Sequence, residues 1–278
     1  MKSLEKTVQT LIINGTLTEC PGLFYGKTGI AVFFFHYARN TGSELFRRYA
    51  FDLIEEIQNQ MTVTVSAQYD TGLSGIGVGF EYFLQNGFIE ADDDLFEDFD
   101  ARMYRIAMYD PYPDLSLAVG LTGWGRYFIY RLRGNGQMNS RINKALTHIA
   151  NEITQKVIEQ TVPEGEQPDV FRFFCDLIIL PDYSKKYADT LKRCREWECI
   201  CKPDIPKLFP YLNDLQRLYI CQNYFRMDLS EEIEKEWAKR IEPDKNSLLN
   251  MGLLKGRSAE GMLQLTTLNT DINWMNLL

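Results

Sequence analysis

No stretch of this sequence stays apolar long enough to cross a bilayer. The richest run, "GIAVFFFHYA" from Gly29 to Ala38, is about half the length a membrane helix needs. The opening "MKSLEKTVQTLIING" has charges scattered through it and lacks the apolar block of a secretory signal. A cytoplasmic location is therefore expected. In that compartment Cys20, Cys175, Cys194, Cys199, Cys201 and Cys221 read as reduced thiols. Basic clusters are missing too, and a formal net charge of −8 argues against a nucleic-acid partner. Strand-like alternation is scarce: "MTVTVSAQY" (61–69) is the one β-like run and reads as a short hairpin arm. Histidine is scarcer still, with His36 and His148 the whole supply.

Apolar side chains are plentiful, 45% of 278 residues, enough to bury one large core over 1–278. They come in a repeat. "GLFYGKTGIAVFFFHYAR" begins at Gly22, "GLSGIGVGFEYFLQNG" at Gly72, "GLTGWGRYFIYRLRG" at Gly120 and "GLLKGRSAEGMLQLTTL" at Gly252. The first two intervals are 50 and 48 residues; the last is 132, room for two or three units whose glycines have decayed. "DVFRFFCDLIIL" (169–180) and "KLFPYLNDLQRLYICQNYF" (207–225) are the candidates, inside a proline-interrupted region, 163–245, of degenerate repeats.

Each unit follows one plan. A Gly-Leu turn opens an apolar, aromatic-rich segment, and a polar break follows ("NTGS", "EADDD", "GNGQMNS"). Then comes an amphipathic helix such as "ELFRRYAFDLIEEIQNQ", where Leu45, Tyr49, Leu53 and Ile57 fall on one stripe. Asp92, Asp93 and Asp94 sit where a helix start favours carboxylates. The plan predicts an all-α ring or stack of helix pairs. Its inner helices are apolar, and glycines let the backbone turn sharply where the helix ends converge. The same context excludes a phosphate cradle. A dinucleotide fingerprint needs a preceding strand and a P-loop needs a Lys-Ser/Thr ending, and neither is present.

Repeated "GLSG" and "GLTG" turns opening the inner helices of a toroid, with "NGFIEADDDLFEDFD" after the second, resemble the lanthionine synthetase C-like (LanC-like) family. The closing "GLLKGRSAEGMLQL" is similar to that family's last hairpin, and the resemblance covers 20–133 and 248–265. It implies a role in maturing ribosomally made peptides, where such enzymes add a cysteine thiol to a dehydrated serine or threonine. It also implies a zinc ion, held by a cysteine and a Cys-His pair, that makes the substrate thiol a thiolate. This sequence has no Cys-His dipeptide and no histidine after His148, so no zinc ligand carries over. Asp70, in "YDTGLSG", lies near the position of an acid that takes part in the cyclases' acid–base work.

The expected protein is thus an all-α, incomplete or degenerate α/α toroid of the LanC-like type, non-catalytic, that binds a peptide, or the enzyme that modifies it, and needs no cofactor. Phe24, Tyr25, Trp124 and Lys255 would line the turn-side mouth. The alternative is a zinc-dependent thioether cyclase with a cysteine-only site at Cys194, Cys199 and Cys201. Cys194 and Cys201, seven apart, would share a helical face there, although Cys199-x-Cys201 is too tight for a zinc knuckle. A toroid glycosidase would need two carboxylates on one cleft. Glu81, inside an apolar helix, reads instead as an ion-pair partner of Arg126 or Arg131. His36 among aromatics reads as core and His148 as surface. A shortened ring would leave an apolar flank for a homodimer to cover.

Overall fold

In the computed structural model, which describes residues 2–61, 65–90, 96–135, 140–239, 250–269 and 272–278, helices account for the regular structure, with no strand among the described residues. The helices are α1 (Lys2–Gly15), α2 (Lys27–Thr41), α3 (Glu44–Gln60), α4 (Leu73–Gln85), α5 (Glu97–Tyr109), α6 (Leu121–Asn135) and α7 (Ser140–Ile158). They continue as α8 (Gln167–Leu177), α9 (Pro181–Cys194), α10 (Glu198–Cys201), α11 (Asp214–Phe225), α12 (Ser230–Lys239) and α13 (Arg257–Leu268). Residues 65–68 of the expected hairpin arm are irregular, and 62–64 lie outside the described residues, as do Asp92, Asp93 and Asp94.

Six helices form the inner ring among the described residues: α2, α4, α6, α8, α11 and α13. In α2 the side chains from Lys27 to His36 are buried on every side, Phe33, Phe34 and Phe35 among them. A helix apolar all round belongs inside a layer of others. The outer helices bury one stripe each. On α3 that stripe is Ala50, Leu53, Ile54 and Ile57, whereas Leu45 is 71% exposed. In the first turn of α3 it is Phe46, not Leu45, that faces α2, against Phe34 and Tyr37.

The ring closes, so of the two expected forms, incomplete or degenerate, it takes the degenerate one. The last inner helix, α13, packs against both α1 and α2. A belt of hydrogen bonds joins the turns in sequence. The amide of Leu254 donates to Phe24 O at 3.0 Å, Phe24 N to Asp70 O at 2.9 Å, and Tyr69 N to Ala118 O at 2.8 Å. Leu117 N donates to Asp169 Oδ2 at 2.9 Å and Tyr211 Oη to Asp169 Oδ1 at 2.6 Å. Gln216 Nε2, on α11, returns to Leu253 O at 3.0 Å.

The repeat's register also shifts. The glycine that precedes each inner helix is Gly26, Gly72, Gly120 and Gly256, so Gly22 and Gly252 are extra glycines four residues upstream. A side-chain lock identifies the equivalent positions. Two residues after each of these glycines a hydroxyl donates to the carbonyl seven residues back: Thr28 to Pro21 at 2.6 Å, Ser74 to Ala67 at 2.7 Å, Thr122 to Leu115 at 2.9 Å and Ser258 to Met251 at 2.5 Å. The two glycine-free copies are α8 and α11, and they start by other means. Pro168 sits in the first turn of α8. At α11 Asn213 and Gln216 form a reciprocal capping box, which supplies acceptors for the first amides from side chains.

Candidate functional site

The turns and the starts of the inner helices share one face of the ring, and the expected site residues divide across it. Phe24 is fully buried, edge-on to Tyr69 at 5.3 Å, so it belongs to the belt and not to the mouth. Tyr25 is 40% exposed beside it. Lys255 is exposed, and its Nζ donates to Pro210 O at 3.0 Å, tying the last turn to the one before α11. Asp70 is half-buried, and burial holds its carboxyl above the usual range despite hydrogen bonds from Thr71. Burial also raises the Cys20 thiol and the Tyr25 hydroxyl, with the charge of Asp70 adding to both. Cys20 is therefore a poor source of a thiolate at neutral pH.

Trp124 lies elsewhere on the face. It is 4% exposed and walls a groove of about 550 Å³ with Val65, Gln68, Arg102, Arg105 and Pro113, within the size range of ligand clefts. Its indole N–H is buried without a partner among the described residues, an arrangement that costs free energy unless something accepts from it. Arg105, exposed on α5, sets a positive charge on the rim. The sequence pattern placed Trp124 at the mouth but missed Arg102 and Arg105, which sit on an outer helix.

The expected cysteine cluster is dispersed. Cys194 ends α9 in the core, while Cys201 lies exposed on the separate α10, so they share no helical face. Cys199 is half-buried, and its thiol donates to Gln167 Oε1 at 3.3 Å. Burial pushes the Cys175 thiol up to about 12, the Cys221 thiol to about 11, and the Cys194 thiol higher as well. A cysteine binds zinc as the thiolate, so these surroundings oppose binding. No three His, Cys, Asp or Glu side chains among the described residues are grouped as a metal site. The residues present do not fit the ion.

Glu81 is an ion-pair member, with Arg131 and not Arg126 as its partner. Arg131 bonds Glu81 through Nη1 and forks onto Asp100, with Nε to Oδ1 at 3.0 Å and Nη2 to Oδ2 at 2.9 Å. Tyr127 Oη donates to the same Asp100 Oδ1 at 2.6 Å. His36 is core, with Nε2 at 2.6 Å from Tyr82 Oη. Burial, helped by Arg39, lowers its pKa from 6.5 to about 3. The folded protein thus holds this imidazole neutral where the unfolded chain would protonate it. Stability contributed by neutral His36 is full above pH 6.5 and is lost as pH falls toward 3, by up to about 1.4 kcal/mol per pH unit. Urea titrations across that window should show this slope, and His36→Gln should flatten it.

The centre of the ring holds what the sequence pattern missed. Residues 272–278 run back from the end of α13 along the axis, with Trp274, Leu277 and Leu278 fully buried. Tyr69 Oη donates to Leu277 O at 2.8 Å, Tyr130 Oη to Asn276 O at 2.8 Å and Arg172 Nη1 to Leu278 O at 3.0 Å, while Arg126 Nη2 also bonds Asn276 O. Nothing in the helical repeat marks "INWMNLL" for that place.

With the architecture on the page, known structures can be compared. Nisin cyclase superposes with a TM-score of 0.57 over 99% of this chain and 96% of that one, at 14% identity. The ring is built like that of nisin cyclase. No family model and no curated protein matches the sequence. The likeness lies in the helical toroid. Among the described residues no helix is long and apolar enough to cross a membrane.

Proposed function

We propose that this protein is a non-catalytic LanC-like ring that binds a peptide, or the enzyme that modifies it, within a ribosomal peptide maturation system. The single observation that carries the reading is the Trp124 groove: a cleft of peptide size on the turn face, walled in part by Trp124 with Arg105 on its rim. The nisin cyclase fold supports a peptide as the occupant. The dispersed, protonated cysteines favour binding over zinc-dependent thiol addition.

Calorimetry with cysteine-containing precursor peptides encoded beside the gene tests this. Saturable binding is expected, weakened about tenfold by Arg105→Glu on the exposed rim and by Trp124→Phe, which keeps the ring but removes the N–H. Zinc in the same preparations should stay well below one equivalent. Stoichiometric zinc, or peptide binding indifferent to both substitutions, would count against the proposal.

A further inference from the structure

The axial segment is held in an unusual way. Its carbonyls accept from Tyr69, which precedes α4, from Arg126 and Tyr130 on α6, and from Arg172 on α8, all of them side chains. Between segment and ring no backbone ladder forms among these contacts. Its own regular structure is a single 3₁₀ turn, Trp274–Leu277. The wall around it is a set of donors converging on one line, as peptide-binding clefts provide.

The wall also offers more donors than the segment uses. Arg126 is 5% exposed and Arg172 is 2% exposed, yet among the described residues no Asp or Glu forms an ion pair with either. Arg126 Nε and Arg172 Nε and Nη2 have no hydrogen-bond partner among the described residues. The nearby carboxylates are already engaged. Asp169 accepts from Tyr211 and Leu117, and Asp176 accepts from Tyr224 at 3.0 Å and pairs with Arg133 at 3.6 Å. Part of the charge on Arg172 rests on the ring of Tyr224, 4.7 Å away. Beside both arginines a cavity of about 10 Å³ remains, room for one water. Buried guanidinium groups with idle N–H donors are costly, and a ligand richer in oxygen acceptors would relieve them.

We infer that the lumen is a peptide-binding site, that residues 272–278 are its internal ligand, and that an apolar peptide presenting several backbone carbonyls takes their place in trans. This site is distinct from the Trp124 groove. The internal ligand keeps the lumen shut, so only a chain whose segment has been released binds there.

The test uses the full chain with a protease recognition sequence inserted between residues 270 and 271, folded first and then cut. A fluorescein-labelled synthetic peptide with the sequence of residues 272–278 is added in excess and followed by polarisation. The cut chain should stay helical and bind this probe saturably. Unlabelled peptide should compete and a scrambled one should not. The uncut chain should bind at least tenfold more weakly. Tyr69→Phe and Tyr130→Phe in the cut chain should each weaken binding about 3- to 10-fold without loss of helicity. The inference is overturned if cutting abolishes the helical signal, if the folded cut chain takes up no probe, if cut and uncut chains bind alike, or if both substitutions are silent. None of these results touches the groove, whose test is made on the uncut chain with Arg105 and Trp124.

Discussion

Replacing Arg131 with methionine is expected to lower the unfolding free energy by about 3–5 kcal/mol near neutral pH, the cost of leaving buried charge without its partner. Glu81 is 1% exposed and Asp100 is 9% exposed, and Arg131 is the ion-pair partner of both. Methionine fills much of the space but returns neither charge nor fork, so two carboxylates would face each other across an apolar wall. The pH dependence separates this cause from simple loss of packing. Burial already raises the Glu81 carboxyl, and the hydrogen bond and charge of Arg131 pull it back down. Without Arg131 the folded-state value climbs further. A carboxyl raised in the fold favours folding while protonated and loses that contribution as pH rises through its folded value. The deficit against the parent protein should therefore shrink as pH falls from about 7 toward about 4.5. Urea unfolding at both ends reads it directly. A loss under about 1 kcal/mol, or one that does not change with pH, would show that the pair contributes little.

The ring was legible in the sequence because its cause is local and repeats. Apolar inner segments at intervals near fifty residues, each opened by glycine, can bury themselves only against one another. The register was less legible. "GLFYG" and "GLLKG" each hold two glycines, and only the hydroxyl locks from Thr28 and Ser258 show that the second is equivalent to Gly72 and Gly120. The decayed copies were found by their aromatic content alone, since α11 begins with an Asn213 capping box in place of a glycine turn.

The sites were harder to read than the fold. Lining a mouth and stitching a belt need the same residue types at a turn, so pattern could not separate exposed Tyr25 from buried Phe24. The cysteines looked like a cluster along the chain, but a break between α9 and α10 divides them. The axial segment was invisible for a different reason. Its partners Tyr69, Tyr130 and Arg172 lie 208, 146 and 106 residues away, and nothing local records such contacts. Closure has the same character, since α13 meets α2 across nearly the whole chain.

The glycines inside the inner helices, as opposed to those in the turns, yield the second large effect. Gly→Ala within a helix ordinarily stabilises by about 0.5–1 kcal/mol, because alanine loses less backbone freedom on folding. At Gly77 the sign should reverse, with a net loss of about 1–3 kcal/mol. A Cβ there would overlap the ring of Tyr127 on the next inner helix. That ring cannot turn aside cheaply. It is fully buried, its hydroxyl donates to Asp100 at 2.6 Å, and Asp100 is in turn gripped by Arg131. The arrangement recurs around the ring: Gly125 faces Phe173 and Gly261 faces Phe33 in the same way. Each small residue admits the aromatic of its neighbour, which sets how closely adjacent inner helices approach. A double-mutant cycle isolates the contact. In a Tyr127→Leu background the obstruction is gone, and Gly77→Ala should cost little or restore the usual gain. If alanine were equally harmful in both backgrounds, the close approach of α4 and α6 would not be what demands glycine at position 77.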